Sequence, residues 1–174
     1  MQEAEVKIAK SKADYEMAVW VRKKVFIEEQ KVSESIELDE YENTSDHFLV
    51  LYKGKPAGAS RIRIKECYVK FERIATLKPF RELGLGRHLM RFMETYSAEN
   101  YPAYLPAMHA QKHAIGFYEK LGWVGIGEMF SEAEIDHRLM IYPPAETRVS
   151  ELLIWTDPTA REDIKAYLNQ VIIK

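Results

Sequence analysis

The sequence predicts an α/β fold in which a single mixed central β-sheet is flanked by α-helices, and three observations lead there. Runs with two-residue alternation and runs with helical spacing follow one another in the order strand, helix, three strands, helix, strand, helix, two strands. Turn residues stand between them, at Gly54 and Pro56, at Pro79 and Gly84, and at Gly122. A chain of 174 residues, 47% hydrophobic and 30% charged, has the composition of an ordinary globular protein and the length of one packed domain.

Each element has its own warrant. Glu5 to Ala9 alternates as a short strand, and Ser11 or Asp14 can cap the helix after it. Met17, Val21, Val25 and Phe26 recur at helical spacing and predict an amphipathic helix over Tyr15 to Gln30. Ser33 to Asp46 then reads as a loop. His47 to Tyr52 and Ala57 to Ile64 alternate around the turn chemistry of Lys53 to Pro56, which predicts a hairpin. Tyr68 to Leu77 is a third strand, closed by Lys78 and Pro79. Leu85 to Glu99 carries Leu89, Met90, Phe92, Met93 and Tyr96, a helix with a broad apolar face. Ala103 to Ala110 is apolar enough for a central strand, although Pro106 points to a bulge or an edge. Lys112 to Leu121 is a short helix ended by Gly122, and Trp123 to Phe130 and Ile135 to Tyr142 are the last two strands. The domain so predicted spans residues 1–142. Residues 143–174 form an extension with a strand at Val149 to Thr156 and a helix opened by Thr156-Asp157-Pro158, packed on the domain or serving as an oligomer interface.

Composition excludes several classes. The net charge of −2 gives no general reason to bind nucleic acid. No apolar run reaches the length of a membrane span, and the first residues hold no apolar signal core, so a cytoplasmic location is expected. The one cysteine, Cys67, rules out an internal disulfide and a cysteine-based zinc cluster, and the five His residues show no HExxH spacing, so no metal is expected. Local charge says more. Ser33 to Asp46 carries six acids and no base, whereas Arg87, His88 and Arg91 gather near one helix start, so two opposite fields are expected.

The stretch RELGLGRHLM, Arg81 to Met90, sets two glycines where a strand gives way to a helix. A helix start offers unpaired N–H groups and the positive end of the dipole, which together favour an anion. Gly84 and Gly86 let backbone approach that anion without Cβ atoms in the way, and Arg81 and Arg87 can add charge-assisted contacts. A phosphate or pyrophosphate fits. The letters are not a P-loop, because Arg87-His88 stands where Lys-Ser/Thr is needed, nor a Rossmann fingerprint, because Leu89 occupies the third small position.

What remains, R-x-x-G-x-G after a strand, resembles the GNAT acetyltransferase superfamily. QKHAIGFYEKLGW, Gln111 to Trp123, is similar to that family's second signature, and the two occur in the right order about 30 residues apart. VRKKVFIEEQ, MHAQ and EIDHRLM resemble more narrowly the small bacterial YjcF/ElaA-like branch. The resemblance covers about residues 5–142. It implies a GNAT fold and an acetyl-CoA or CoA ligand, with the pyrophosphate on the N–H groups from Arg81 through Glu82, Leu83, Gly84, Leu85 and Gly86 to Arg87. It implies that the pantetheine arm pairs with backbone at Ile74, Ala75 and Thr76, and that Gln111, Ala114, Phe117 and Tyr118 complete the cofactor site. Tyr118 resembles the family's acid, which meets the CoA sulfur. Glu82, Thr76, Gln111 and Trp123 depart from the usual letters, and the side chain of Glu82 is expected to point away from the diphosphate.

The acceptor implied is a primary amine of a small molecule or peptide, and it needs a base, because an amine near the lysine reference pKa is protonated at neutral pH. Three candidates stay open. Glu72 lies on the strand before the glycine turn, with Ile74 and Thr76 on the same face by alternation. Glu29 ends the first helix, and His109 sits on the central strand, where a lone His among apolar residues, like His137, reads more readily as a satisfied core group than as a base. The acidic loop could draw a cationic amine or merely be solvated. Two rival readings are a noncatalytic acyl-CoA sensor and an interaction module in which the extension pairs two copies as a homodimer.

Overall fold

Strand β1, Ala4–Ile8, pairs antiparallel with β2, Asp46–Tyr52, in a computed structural model that describes residues 3–173. Between them runs α1, Lys12–Arg22, capped by Ser11, whose hydroxyl accepts from the amide of Asp14 at 3.1 Å. The predicted single helix to Gln30 changes character at Lys23, where the hydrogen bonds lengthen to π spacing through Glu29. The acidic segment is more ordered than a loop: it holds the short helix α2, Glu34–Glu37, and a 3-10 turn at Glu42–Thr44. β2 returns as β3, Lys55–Lys65, through Lys53 and Gly54, both at positive φ, a turn whose twist matches the strands it joins. β4, Tyr68–Thr76, precedes the glycine turn and α3, Leu85–Asn100. β5, Leu105–Gln111, is followed by a 3-10 turn and α4, Ile115–Lys120. β6, Val124–Glu132, and β7, Ile135–Ile141, form a hairpin, and α5, Glu162–Ile173, is the last helix among the described residues.

The strands make one seven-stranded mixed sheet in the order β1-β2-β3-β4-β5-β7-β6. β4 and β5 run parallel, whereas β2 is antiparallel to β1 and β3, and β7 is antiparallel to β5 and β6. Pro106 is therefore not on an edge. It is tolerated because the ladder to β7 starts one residue later, at Ala107, while the Pro106 carbonyl accepts from the amide of Tyr142 at 3.0 Å.

The chain forms two compact units, Met1–Arg63 with Phe71–Thr95, and Ile64–Lys70 with Tyr96–Lys174. In the first, α1 lays Ala18, Val21, Val25 and Phe26 on Leu49, Ala59 and Ala75. Phe48, the neighbour of Leu49, faces the other way and meets Phe92 of α3 with ring centroids 5.9 Å apart. The helices α1 and α3 thus cover opposite faces of this unit's strands.

In the second unit, Leu105, Ala107, Leu139 and Ile141 share a core with Val149, Leu152, Ile154, Ile164 and Leu168 of the extension. Burying each such side chain stabilises by about 1.5–3 kcal/mol. The expected strand at Val149 to Thr156 is replaced by 3-10 turns at Glu146–Glu151 and Leu153–Trp155, which turn Val149, Leu152 and Ile154 all inward. The helix also begins later than Thr156-Asp157-Pro158 suggests. Asp157 is spent on the turn instead, its carboxylate accepting from the amide of Thr159 at 2.8 Å and from its hydroxyl at 2.6 Å.

Candidate functional site

The glycine turn has the geometry an anion needs. Gly84 adopts φ +78°, and a Cβ there would meet nothing within 4 Å, so backbone conformation and not crowding demands glycine. The first backbone bond of α3 runs from His88 N–H to the Gly84 carbonyl at 3.1 Å. The amides of Leu85, Gly86 and Arg87 precede that bond and so lack an intrahelical acceptor. Glu82 holds φ +69° without being glycine, a left-handed conformation that costs a residue with a Cβ. Arg81, Glu82, Leu83 and Arg87 are all exposed.

Arg81 is engaged on its own side of this turn. Its Nε donates to the Thr76 carbonyl at 3.0 Å, and its two terminal nitrogens reach the two oxygens of Glu29 at 2.7 and 2.8 Å. The pair ties the end of the π-helical segment to the end of β4, near Ile74 and Ala75. Arg81 also holds the Glu29 carboxyl below its ordinary value, which suits an ion-pair partner better than a proton acceptor.

Glu72 has a similar fate. One oxygen accepts from Arg61 at 3.1 Å and the other from Arg63, so guanidiniums occupy its lone pairs. The alternation that would align it with Ile74 and Thr76 is disturbed at Arg73, which holds φ +57° inside β4.

These arginines belong to a network that sequence reasoning missed. Buried Arg22 donates to Glu37 at 2.8 Å and to Glu42 at 2.7 Å, and buried Arg61 donates to Asp39 and Glu42. Arg73 reaches Glu37 at 2.9 Å and Asp39 at 3.1 Å. Half of the six acids expected to project a negative field, Glu37, Asp39 and Glu42, are thereby neutralised internally. Burial would raise the Asp39 carboxyl, but the hydrogen bond and charge of Arg61 outweigh it and bring the value to about 2.

In the second unit, α4 buries Tyr118, with the exposed ring of Phe117 edge-on at 5.2 Å. Burial pushes the Tyr118 phenol well above its ordinary value, so it keeps its proton at neutral pH. Gln111 ends β5 opposite His137, and Ala114 leads into α4.

His109 is not a core histidine. It is exposed on β5, with Nδ1 at 3.2 Å from one oxygen of Glu132 and 3.4 Å from the other. Phe130 meets the His109 ring edge-on at 4.9 Å and stacks on His137 at 6.0 Å. His137 is buried and locked by Nδ1 on the Ile135 carbonyl at 2.6 Å, with Nε2 at 3.8 Å from Glu132. The His109 contact, with the charges of His137 and Lys70, holds the Glu132 carboxyl below its ordinary value. Among the described residues, no three His, Cys, Asp or Glu side chains are placed to hold a metal ion. No helix among them is long and apolar enough to cross a membrane.

Comparison with known proteins identifies the family of the chain. Residues 8–142 match the family described as "Acetyltransferase (GNAT) domain". The chain is 38% identical over 135 residues to the uncharacterized N-acetyltransferase YjcF of Bacillus subtilis (strain 168), covering 77% of this chain and 96% of that protein. It is 39% identical over 139 residues to the uncharacterized protein YyaT of the same organism, covering 78% and 93%. Escherichia coli ElaA shares the fold with a TM-score of 0.70 at 20% identity, over 80% of this chain and 99% of that one. The chain belongs to the GNAT acetyltransferase family, as a relative of YjcF.

Proposed function

We propose that the protein is an acetyl-CoA-dependent N-acetyltransferase that moves the acetyl group to a primary amine of a small molecule or peptide by direct attack. The observation that carries this reading is the left-handed Gly84 leading into the unpartnered amides of Leu85, Gly86 and Arg87. Such amides favour a diphosphate, and Arg87 adds charge to them. Ile74, Ala75 and Thr76 offer strand backbone for the pantetheine arm, and Gln111, Ala114 and Phe117 flank Tyr118 in sequence.

Acetyl-CoA supplies the activated acyl group when bound. The amine nitrogen bonds to the acetyl carbon while the carbon–sulfur bond breaks, and the sulfur must end protonated. The raised phenol of Tyr118 suits this task as a hydrogen-bond donor to the departing sulfur. A thiol titrates near 8.5 and a phenol at or above 10, so the departing thiolate is the weaker base, and Tyr118 serves it by donating a hydrogen bond as negative charge builds on the sulfur.

The test is CoA release measured across a panel of primary amines, with acetyl-CoA affinity measured separately. Tyr118→Phe is expected to lower kcat by roughly 10²- to 10⁴-fold with little change in affinity. Unchanged turnover removes Tyr118 from the mechanism. Acetyl-CoA binding with no release to any amine identifies a sensor instead.

A further inference from the structure

We propose that His109 is the general base that deprotonates the acceptor amine, and that Glu132 is the residue that positions it. This rests on the acetyltransferase reading and adds the residues that serve the amine.

An ionised carboxylate only accepts hydrogen bonds, so the 3.2 Å contact requires the proton of a neutral His109 to sit on Nδ1. Nε2 then carries the free lone pair. That is the arrangement of an oriented base: a third group fixes the tautomer and the ring, and the opposite nitrogen faces the substrate. Phe130 adds a ring contact at 4.9 Å that limits rotation.

The other candidates are occupied. Glu29 is bound by both arms of Arg81, and Glu72 by Arg61 and Arg63. His137 spends Nδ1 on a main-chain carbonyl and is buried. His109 combines exposure with an orienting carboxylate, and it shares the second unit with Tyr118.

The protons balance. One leaves the ammonium before attack, is taken by Nε2 of His109 and passes to solvent. The second leaves the nitrogen after the carbon–nitrogen bond forms and, by way of solvent, protonates the sulfur that the phenol of Tyr118 has held by a hydrogen bond. The imidazolium formed on His109 is stabilised by the charge of Glu132. Around that carboxylate stand His109 from β5, His137 from β7 and Lys70 from β4, whose charges bear on the pH profile.

The experiment uses the full chain, acetyl-CoA and an amine panel of a polyamine, an amino sugar and a lysyl peptide. His109→Gln is expected to lower kcat/KM by about 10²-fold with acetyl-CoA affinity unchanged. Glu132→Gln is expected to lower it by roughly tenfold, because the ring loses the carboxylate that orients it. Glu132→Asp should recover part of the rate. Nitrogen NMR of the histidines gives a readout independent of turnover: wild-type His109 carries its proton on Nδ1, and Glu132→Ala shifts it to Nε2. A wild-type His109 protonated on Nε2, or a His109→Gln enzyme with wild-type kcat/KM and pH profile, overturns the proposal. A wild type that binds acetyl-CoA but acetylates no amine contradicts the acetyltransferase reading itself, and the base falls with it.

Discussion

Arg61, fully buried, spans Asp39 with two parallel hydrogen bonds of 2.7 Å each. The pair anchors the acidic segment to β3, and its energetics depend on the charge of Asp39. The folded carboxyl titrates at about 2 against an ordinary 3.8. Between those values the unfolded chain binds more protons, so stability is present above about pH 4 and is lost as pH falls toward 2. The loss is of the order of 2 kcal/mol. Urea unfolding across this range should show it in wild type, and Asp39→Asn should flatten the slope; an equal slope in both would contradict the assignment.

Two substitutions in the glycine turn should act in opposite directions. Gly84→Ala forces a Cβ residue to φ +78° without a clash, which costs about 1 kcal/mol and should weaken CoA binding by about fivefold. Glu82→Gly removes the same kind of strain and a negative charge near the helix start, so CoA binding should tighten, less so at high salt. Calorimetry with CoA measures both, and changes of the same sign would show that the turn does not receive the anion.

Glu29→Gln breaks the doubled contact to Arg81. Both side chains are more than a third exposed, so the cost in stability should stay below about 1 kcal/mol. Acetyl transfer should persist within about threefold, since a base is worth about 10²-fold or more. A collapse of kcat with unchanged acetyl-CoA affinity would return Glu29 to the chemistry.

The extension is part of the second unit's core. Ile164→Ala, at a fully buried position, should destabilise by about 2–5 kcal/mol in thermal or urea unfolding. A change below about 0.5 kcal/mol would mean that the extension contributes little to that core.

Much of this was legible in the letters because the physics is local. Alternation marked the strands, helical spacing marked α1 and α3, and Gly84 marked a turn before a helix. The misses share another cause. Ser33 to Asp46 reads as a solvated acidic run because nothing within it reveals that Arg22, Arg61 and Arg73 come from other elements to meet it. Arg73 breaks the period of β4 without a glycine to announce it. Glu132 lay unread because the hairpin turn is Ala133-Glu134, both at positive φ, with neither Gly nor Asn to mark where β6 ends. Val149 to Thr156 has strand-like letters, and only the shape of the second unit's core decides for 3-10 turns. His109 was legible as a residue, but its carboxylate partner depends on register, which hydrogen bonds between strands set.

The central claim is that the first amides of α3 hold the diphosphate of coenzyme A, and backbone amide NMR of the wild-type chain titrated with coenzyme A tests it most directly. Saturable shifts centred on Gly84, Leu85, Gly86 and Arg87 are expected. Saturation without movement of those four signals, or no binding at all, would contradict it.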